Sequence, residues 1–144
     1  MACTVALSAG YDISDDPARI DVDAVHAYLA GESYWAKGRA REITERSLRN
    51  SLCLGLYAAD GAQVGFVRLV TDRTTSAHLC DVYVLPVHRG GGRGKAMVAA
   101  ALGHPELVSV TRWTLSTRDA HGLYAGFGFG PHPDPQTQMW RMTR

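Results

Sequence analysis

The chain has 144 residues, a formal charge of +1, 46% hydrophobic and 20% charged residues, proportions that exclude a disordered or fibrous architecture. The near balance of Lys and Arg with Asp and Glu excludes a general attraction for nucleic acid or an anionic membrane, so any anion site must be local. Cys3, Cys53 and Cys80 lack CxxC spacing, which excludes a zinc cluster and a disulfide framework and points to a reducing cytoplasm.

One domain over 1–144 is expected from the length. The start of the chain lacks the basic stretch of a secretory signal, and no apolar run approaches about 18 residues. A short strand is expected around Tyr11 to Ser14, followed by the turn cluster Asp15-Asp16-Pro17. Val22, Val25 and Leu29 recur at helical spacing, with Asp21 as N-cap and Gly31 as terminator. Glu32 to Arg41 is irregular and carries Tyr34-Trp35, and Glu42 to Arg49 has the composition of a solvent-facing helix that ends at Asn50-Ser51.

Leu52 to Ala59 and Ala62 to Thr71 read as strands joined by a two-residue Asp60-Gly61 hairpin turn. Ser76 to Leu85 follows after the short connection Asp72 to Thr75, so three of these strands form an antiparallel meander that Pro86 ends. Lys95 to Leu102 reads as a helix and Val108 to Ser116 as a fifth strand. Asp119 is expected to cap a short helix through Phe127, and a last strand is expected around Gln138 to Met142 after Pro131, Pro133 and Pro135.

Between the meander and the Lys95 helix stands Arg89-Gly90-Gly91-Gly92-Arg93-Gly94. A strand end, a glycine-rich loop and a helix start together direct several backbone N–H groups at one place, which suits phosphate oxygens. A P-loop does not fit, because Arg89 and Ala96 occupy positions that need Gly and Ser or Thr. A Rossmann loop would open a parallel βαβ unit, whereas this one follows an antiparallel meander.

Arg89, Gly92 and Gly94 after Leu79-Cys-Asp-Val-Tyr-Val-Leu-Pro86 resemble the Arg-x-x-Gly-x-Gly motif of the GNAT superfamily of N-acetyltransferases, and Leu123-Tyr124-Ala-Gly-Phe-Gly128-Phe129 is similar to its LYxxxGF element. The order of elements agrees over residues 10 to 130, and the specific motifs lie within 79 to 129. The resemblance implies an α/β (α+β, three-layer) fold with a mostly antiparallel sheet of about six to seven strands and about four helices, in which the Ser76 and Val108 strands splay apart. It implies acetyl-CoA as co-substrate, with no metal, whose pantetheine arm adds to the splayed edge like a strand.

On this resemblance Val82 and Val84 contact pantetheine through the backbone. The amides of Arg89, Gly90, Gly91, Gly92, Arg93, Gly94 and Lys95 hold the pyrophosphate, and Thr117 and Phe127 complete the cofactor side. Tyr124 is implied as the general acid for the departing thiolate. Asp81 and His78 compete as the base, since strand alternation puts them on opposite faces unless a bulge intervenes; a water relay is the third choice. A base or relay is needed because deprotonating an amine of pKa about 10.4 at neutral pH takes roughly 4 kcal/mol.

Tyr34, Trp35, Arg68 and Asp72 are the residues expected to bind the acceptor, a primary amine on a small molecule or a peptide. A non-catalytic acyl-CoA-binding module is the alternative reading. Many relatives pair through C-terminal strands, and Trp140 is the residue that would serve such a homodimer here.

Overall fold

The computed structural model describes residues 2–144. A six-stranded sheet runs in chain order: β1 (Thr4–Ala6), β2 (Asp12–Ser14), β3 (Leu52–Tyr57), β4 (Gln63–Thr71), β5 (Ser76–Val84) and β6 (Arg112–Leu115). All neighbours are antiparallel except β5 and β6, which are parallel. The helices are α1 (Val22–Gly31), α2 (Arg41–Arg49), α3 (Arg93–Leu102) and α4 (His121–Ala125).

Every residue of β3 is buried, as expected of a strand covered on both faces. Alternation then divides the core into two layers. Leu54 and Leu56 join Val67, Leu69 and Leu79 beneath Met97 and Val98 of α3. Cys53, Phe66 and Tyr83 meet Val25 and Leu29 of α1 on the opposite face. Each fully buried aliphatic side chain contributes about 1.5 to 3 kcal/mol.

The Asp21 carboxylate caps α1 by accepting from the Ala24 N–H at 3.0 Å. A bond of 2.8 Å between His26 Nδ1 and Thr44 Oγ1 ties α1 to α2. Together these bonds fix where the chain leaves α1, and so where the irregular segment 32–40 lies.

Several sequence expectations are corrected. β1 was not foreseen; its three residues are all exposed, so no burial pattern marks them. The β3–β4 connection is a three-residue loop rather than a two-residue turn: the N–H of Ala58 reaches the carbonyl of Ala62, and Gly61 alone takes a positive φ. That is a type I turn with a glycine bulge. α3 begins at Arg93 rather than Lys95.

β6 is shorter than Val108 to Ser116, because Val108 is helical in backbone and the segment joins the sheet only where Thr75 O accepts from Arg112 N. Asp119 does not cap α4; Thr117 Oγ1 accepts from the N–H of Ala120 at 3.0 Å instead. Gln138 to Met142 forms no strand, and Met139, Trp140 and Met142 are exposed. No helix among the described residues is long and apolar enough to cross a membrane.

Candidate active site

The register of β4 against β5 slips by one residue between Phe66/Tyr83 and Arg68/Cys80. The extra residue is accommodated at Asp81, whose φ of 55° is left-handed and uncommon for a residue with a side chain. This β-bulge turns Cys80 and Asp81 toward the α1/α2 face in succession. His78 and Asp81, which simple alternation would separate, therefore share a face.

β5 and β6 pair only from Ser76/Arg112 to Leu79/Leu115. Beyond that point β5 continues through Val84 paired with β4 but with no strand on the β6 side. The N–H of Leu85 donates to Val64 on the β4 side, so alternation directs the backbone groups of Val82 and Val84 to the open edge. One of them is already used: Arg89 Nε donates to the carbonyl of Val84 at 2.8 Å.

At the end of this open edge, Gly90, Gly91 and Gly92 take φ values of 90°, 62° and 74° in succession. Only glycine adopts such a run without strain. Added Cβ atoms at Gly90, Gly92 and Gly94 would meet nothing within 4 Å, which leaves an open concave face lined by main chain.

Of the seven amides expected to hold phosphate, Arg89 donates to Pro86 O and Arg93 to Gly90 O at 3.4 Å. Those of Gly90, Gly91, Gly92, Gly94 and Lys95 have no acceptor among the described residues, and they stand at the positive end of α3. The Arg93 side chain braces the loop rather than facing it. It donates to His88 O and Gly90 O and lies 3.9 Å over the ring of Tyr11, whose hydroxyl meets His88 Nδ1 at 2.8 Å. This brace went unread in the sequence, because Tyr11 is 77 residues from His88.

A polar cluster on the α1/α2 face is built on Asp81, whose side chain is 1% exposed. Its Oδ1 accepts from Trp35 Nε1 at 2.8 Å, and its Oδ2 accepts from Arg68 Nε at 2.7 Å and from Arg39 at 3.2 Å. Burial pushes the Asp81 carboxyl up, but the hydrogen bond and charge of Arg68, then the charge of Arg39, outweigh it and hold the group below its ordinary range. Arg39 was not singled out from the sequence; only its place in the Gly31 to Arg41 segment hinted at it.

Tyr34 and Trp35 sit edge to face at 5.1 Å. The Tyr34 hydroxyl accepts from the Arg118 N–H beyond β6, while Trp35 holds Asp81 on β5. Two consecutive residues thus span the divergence of β5 and β6. Tyr124 is buried beside them, edge to face with Phe129. Burial, and secondarily Tyr34, raise its pKa, so it is protonated at neutral pH. Phe127 packs partly buried against the same core.

His78 Nδ1 bonds Thr114 Oγ1 at 2.7 Å and leaves Nε2 without a protein partner. Burial first, then the charge of Arg68, lower its pKa, which favours the neutral imidazole.

Two of the expected residues lie elsewhere or are occupied. Asp72 caps the β4–β5 hairpin, accepting from Thr74 N, Thr75 N, Ser76 N and Thr75 Oγ1; the Thr75 hydroxyl and these amides hold its carboxyl well below the usual range. The Thr117 hydroxyl accepts from the N–H of Ala120, just before α4. Two clefts lie away from the glycine loop, one of about 380 Å³ beside His104 and one of about 740 Å³ beside α2.

A loop of free amides beyond a bulged, half-paired strand is the arrangement whose sequence matches a family model. Residues 49–131 match the acetyltransferase (GNAT) domain. The chain belongs to the GNAT acetyltransferase family. A protein of Gibberella zeae assigned as an acetyltransferase is 35% identical over 138 residues, covering 81% of this chain and 78% of its own length. The crystal structure of a Xanthomonas campestris pv. campestris protein assigned to the same family has a TM-score of 0.89 at 41% identity, covering 92% of this chain and 93% of that one.

Arabidopsis thaliana glucosamine-6-phosphate N-acetyltransferase shares the fold with a TM-score of 0.61 at 13% identity, covering 100% of this chain and 99% of its own. As a GNAT protein the chain is an acetyltransferase with a mixed, mostly antiparallel six-stranded sheet and four α-helices.

Proposed function

We propose that the chain, acting as one unit over 1–144, transfers acetyl from acetyl-CoA to a primary amine by direct attack. The observation that carries this reading is the half-paired edge of β5 leading to a glycine loop with five unpaired amides. Those amides would hold the pyrophosphate, and the free backbone groups of Val82 and the N–H of Val84 would receive the pantetheine arm as an added strand. When bound, acetyl-CoA supplies an activated acetyl thioester.

The chain's own groups handle the protons. Neutral His78, with Nε2 free, takes the proton that the amine loses as its nitrogen bonds to the carbonyl carbon. Tyr124, kept protonated by burial, donates to the sulfur as the carbon–sulfur bond breaks. Asp81 is a poor competitor for the base role, since three donors already occupy its oxygens and a buried pair with arginine favours the charged form. It acts as a positioning residue that fixes Trp35, Arg39 and Arg68.

Release of free thiol from acetyl-CoA, followed across a panel of primary amines, tests this function. Amine-dependent release supports it. Binding of acetyl-CoA without release for any amine would favour a non-catalytic acyl-CoA module.

A further inference from the structure

One carboxylate faces two guanidiniums on the acceptor side. Arg68 places a second N–H on Ser51 Oγ at 3.1 Å, whereas Arg39 makes its single bond to Asp81 and leaves the rest of its guanidinium without a protein partner. A fifth of the Arg39 side chain, 20%, remains exposed. Among the described residues that Arg39 and Arg68 bond, only Asp81 is anionic; burial pushes the thiols of Cys53 and Cys80 up to about 12 and about 11, so both are neutral. Trp35 Nε1 is a donor, and His78 is neutral or positive. The cluster carries a net positive charge, partly desolvated, beside the aromatic wall of Tyr34 and Trp35. Such a charge is unfavourable until an anion completes it.

We propose that the acceptor amine carries a carboxylate, which the free edge of the Arg39 guanidinium binds as the amine is presented to the opening between β5 and β6. This rests on the amine-acetyltransferase reading above. A planar guanidinium receives a carboxylate through parallel N–H donors. The same positive field lowers the pKa of a nearby ammonium, which enlarges the neutral fraction able to attack. The carboxylate offsets the repulsion that the site would otherwise exert on the ammonium. Amino-acid-like zwitterions therefore fit, whereas polyamines would bring only positive charge.

The experiment measures thiol release by the full chain with acetyl-CoA and acceptor pairs that share an amine but differ in charge, such as amino acids and their carboxamides. The acids are expected to exceed the amides in kcat/KM by about tenfold or more, the scale of one hydrogen bond to a charged group. Arg39→Gln should raise KM for the acids about tenfold and erase the preference for acids over amides, with the KM for acetyl-CoA nearly unchanged; Arg39→Lys should restore part of the preference.

The comparison in the unaltered protein needs no variant to fold. Acids no better than amides, or a preference for polyamines, with thiol still released, would overturn the inference and leave acetyl transfer standing. No release with any amine would remove the reading beneath it.

Discussion

The indole N–H of Trp35 donates to Oδ1 of Asp81 at 2.8 Å across 46 residues of sequence. This bond fastens the irregular segment after α1 to the bulge in β5, and Arg68 and Arg39 converge on the other oxygen of the same carboxylate. Much of the proposed acceptor side thus depends on a single buried acid.

Asp81→Ala should therefore destabilise the protein by about 3 kcal/mol, because it strands two guanidiniums in a partly buried place. The native carboxyl lies below its ordinary pKa, so its stabilisation is complete above about pH 3.9 and is lost as pH falls through the folded value. Urea titrations at several pH values should show this acid loss in the native protein and a flatter profile in Asp81→Asn.

Tyr124→Phe should lower kcat by about 10²-fold, the usual scale for a positioned acid. The KM for acetyl-CoA should stay within about twofold, since ring packing against Phe129 survives the change. Steady-state kinetics with saturating amine give both numbers.

His78 should set the acid limb of the rate profile. Its pKa is lowered from 6.5 by burial and by Arg68, so the proton-accepting form persists as pH falls through 6.5, and the limb should lie below that value. His78→Gln should remove the limb and reduce kcat at least about tenfold. A profile of the variant superimposable on that of the native protein would transfer the base role to water.

Gly92→Val should abolish acetyl-CoA binding in calorimetry while circular dichroism stays native. A side chain at φ 74° is strained by about 1 to 2 kcal/mol and would stand in the open space beside the loop. Normal affinity in a folded variant would place the pyrophosphate elsewhere.

Removing residues 138–144 should change the unfolding free energy by less than about 0.5 kcal/mol, because Met139, Trp140 and Met142 are exposed and pair with no strand. Chemical denaturation of the shortened chain gives this value directly, and its sedimentation would reveal any C-terminal pairing of two copies.

The sequence made legible those parts of the fold where local chemistry and tertiary demand agree. The Asp21 cap, the apolar β3 and β4, and the glycine loop each carry their own signal. The short edge strand Thr4–Ala6 carries none, since nothing covers it. Gln138 to Met142 looks strand-like because Met, Trp and Met suit a pleated surface, but propensity yields no strand without a partner edge.

In the candidate site, motifs pointed to the glycine loop and Tyr124, because a backbone nest and a short helix are local objects. The Trp35, Arg39 and Arg68 clamp was not legible as a unit. Its members meet only once the bulge at Asp81 has turned a carboxylate toward α1 and α2, and no spacing in the chain encodes that turn. Thr117 and Asp72 each accept from nearby amides, as polar side chains beside turns do.

The bulge at Asp81 also bears on what deletion could do to this family. β5 holds one residue more than β4 can pair with, and the ladder with β6 ends two residues before that surplus. Excising Asp81 would let the two ladders run in step, so β5 and β6 could zip together toward Val84. The result would be a more regular sheet with the open edge of β5 closed, a lineage keeping the fold while losing the approach to its glycine loop.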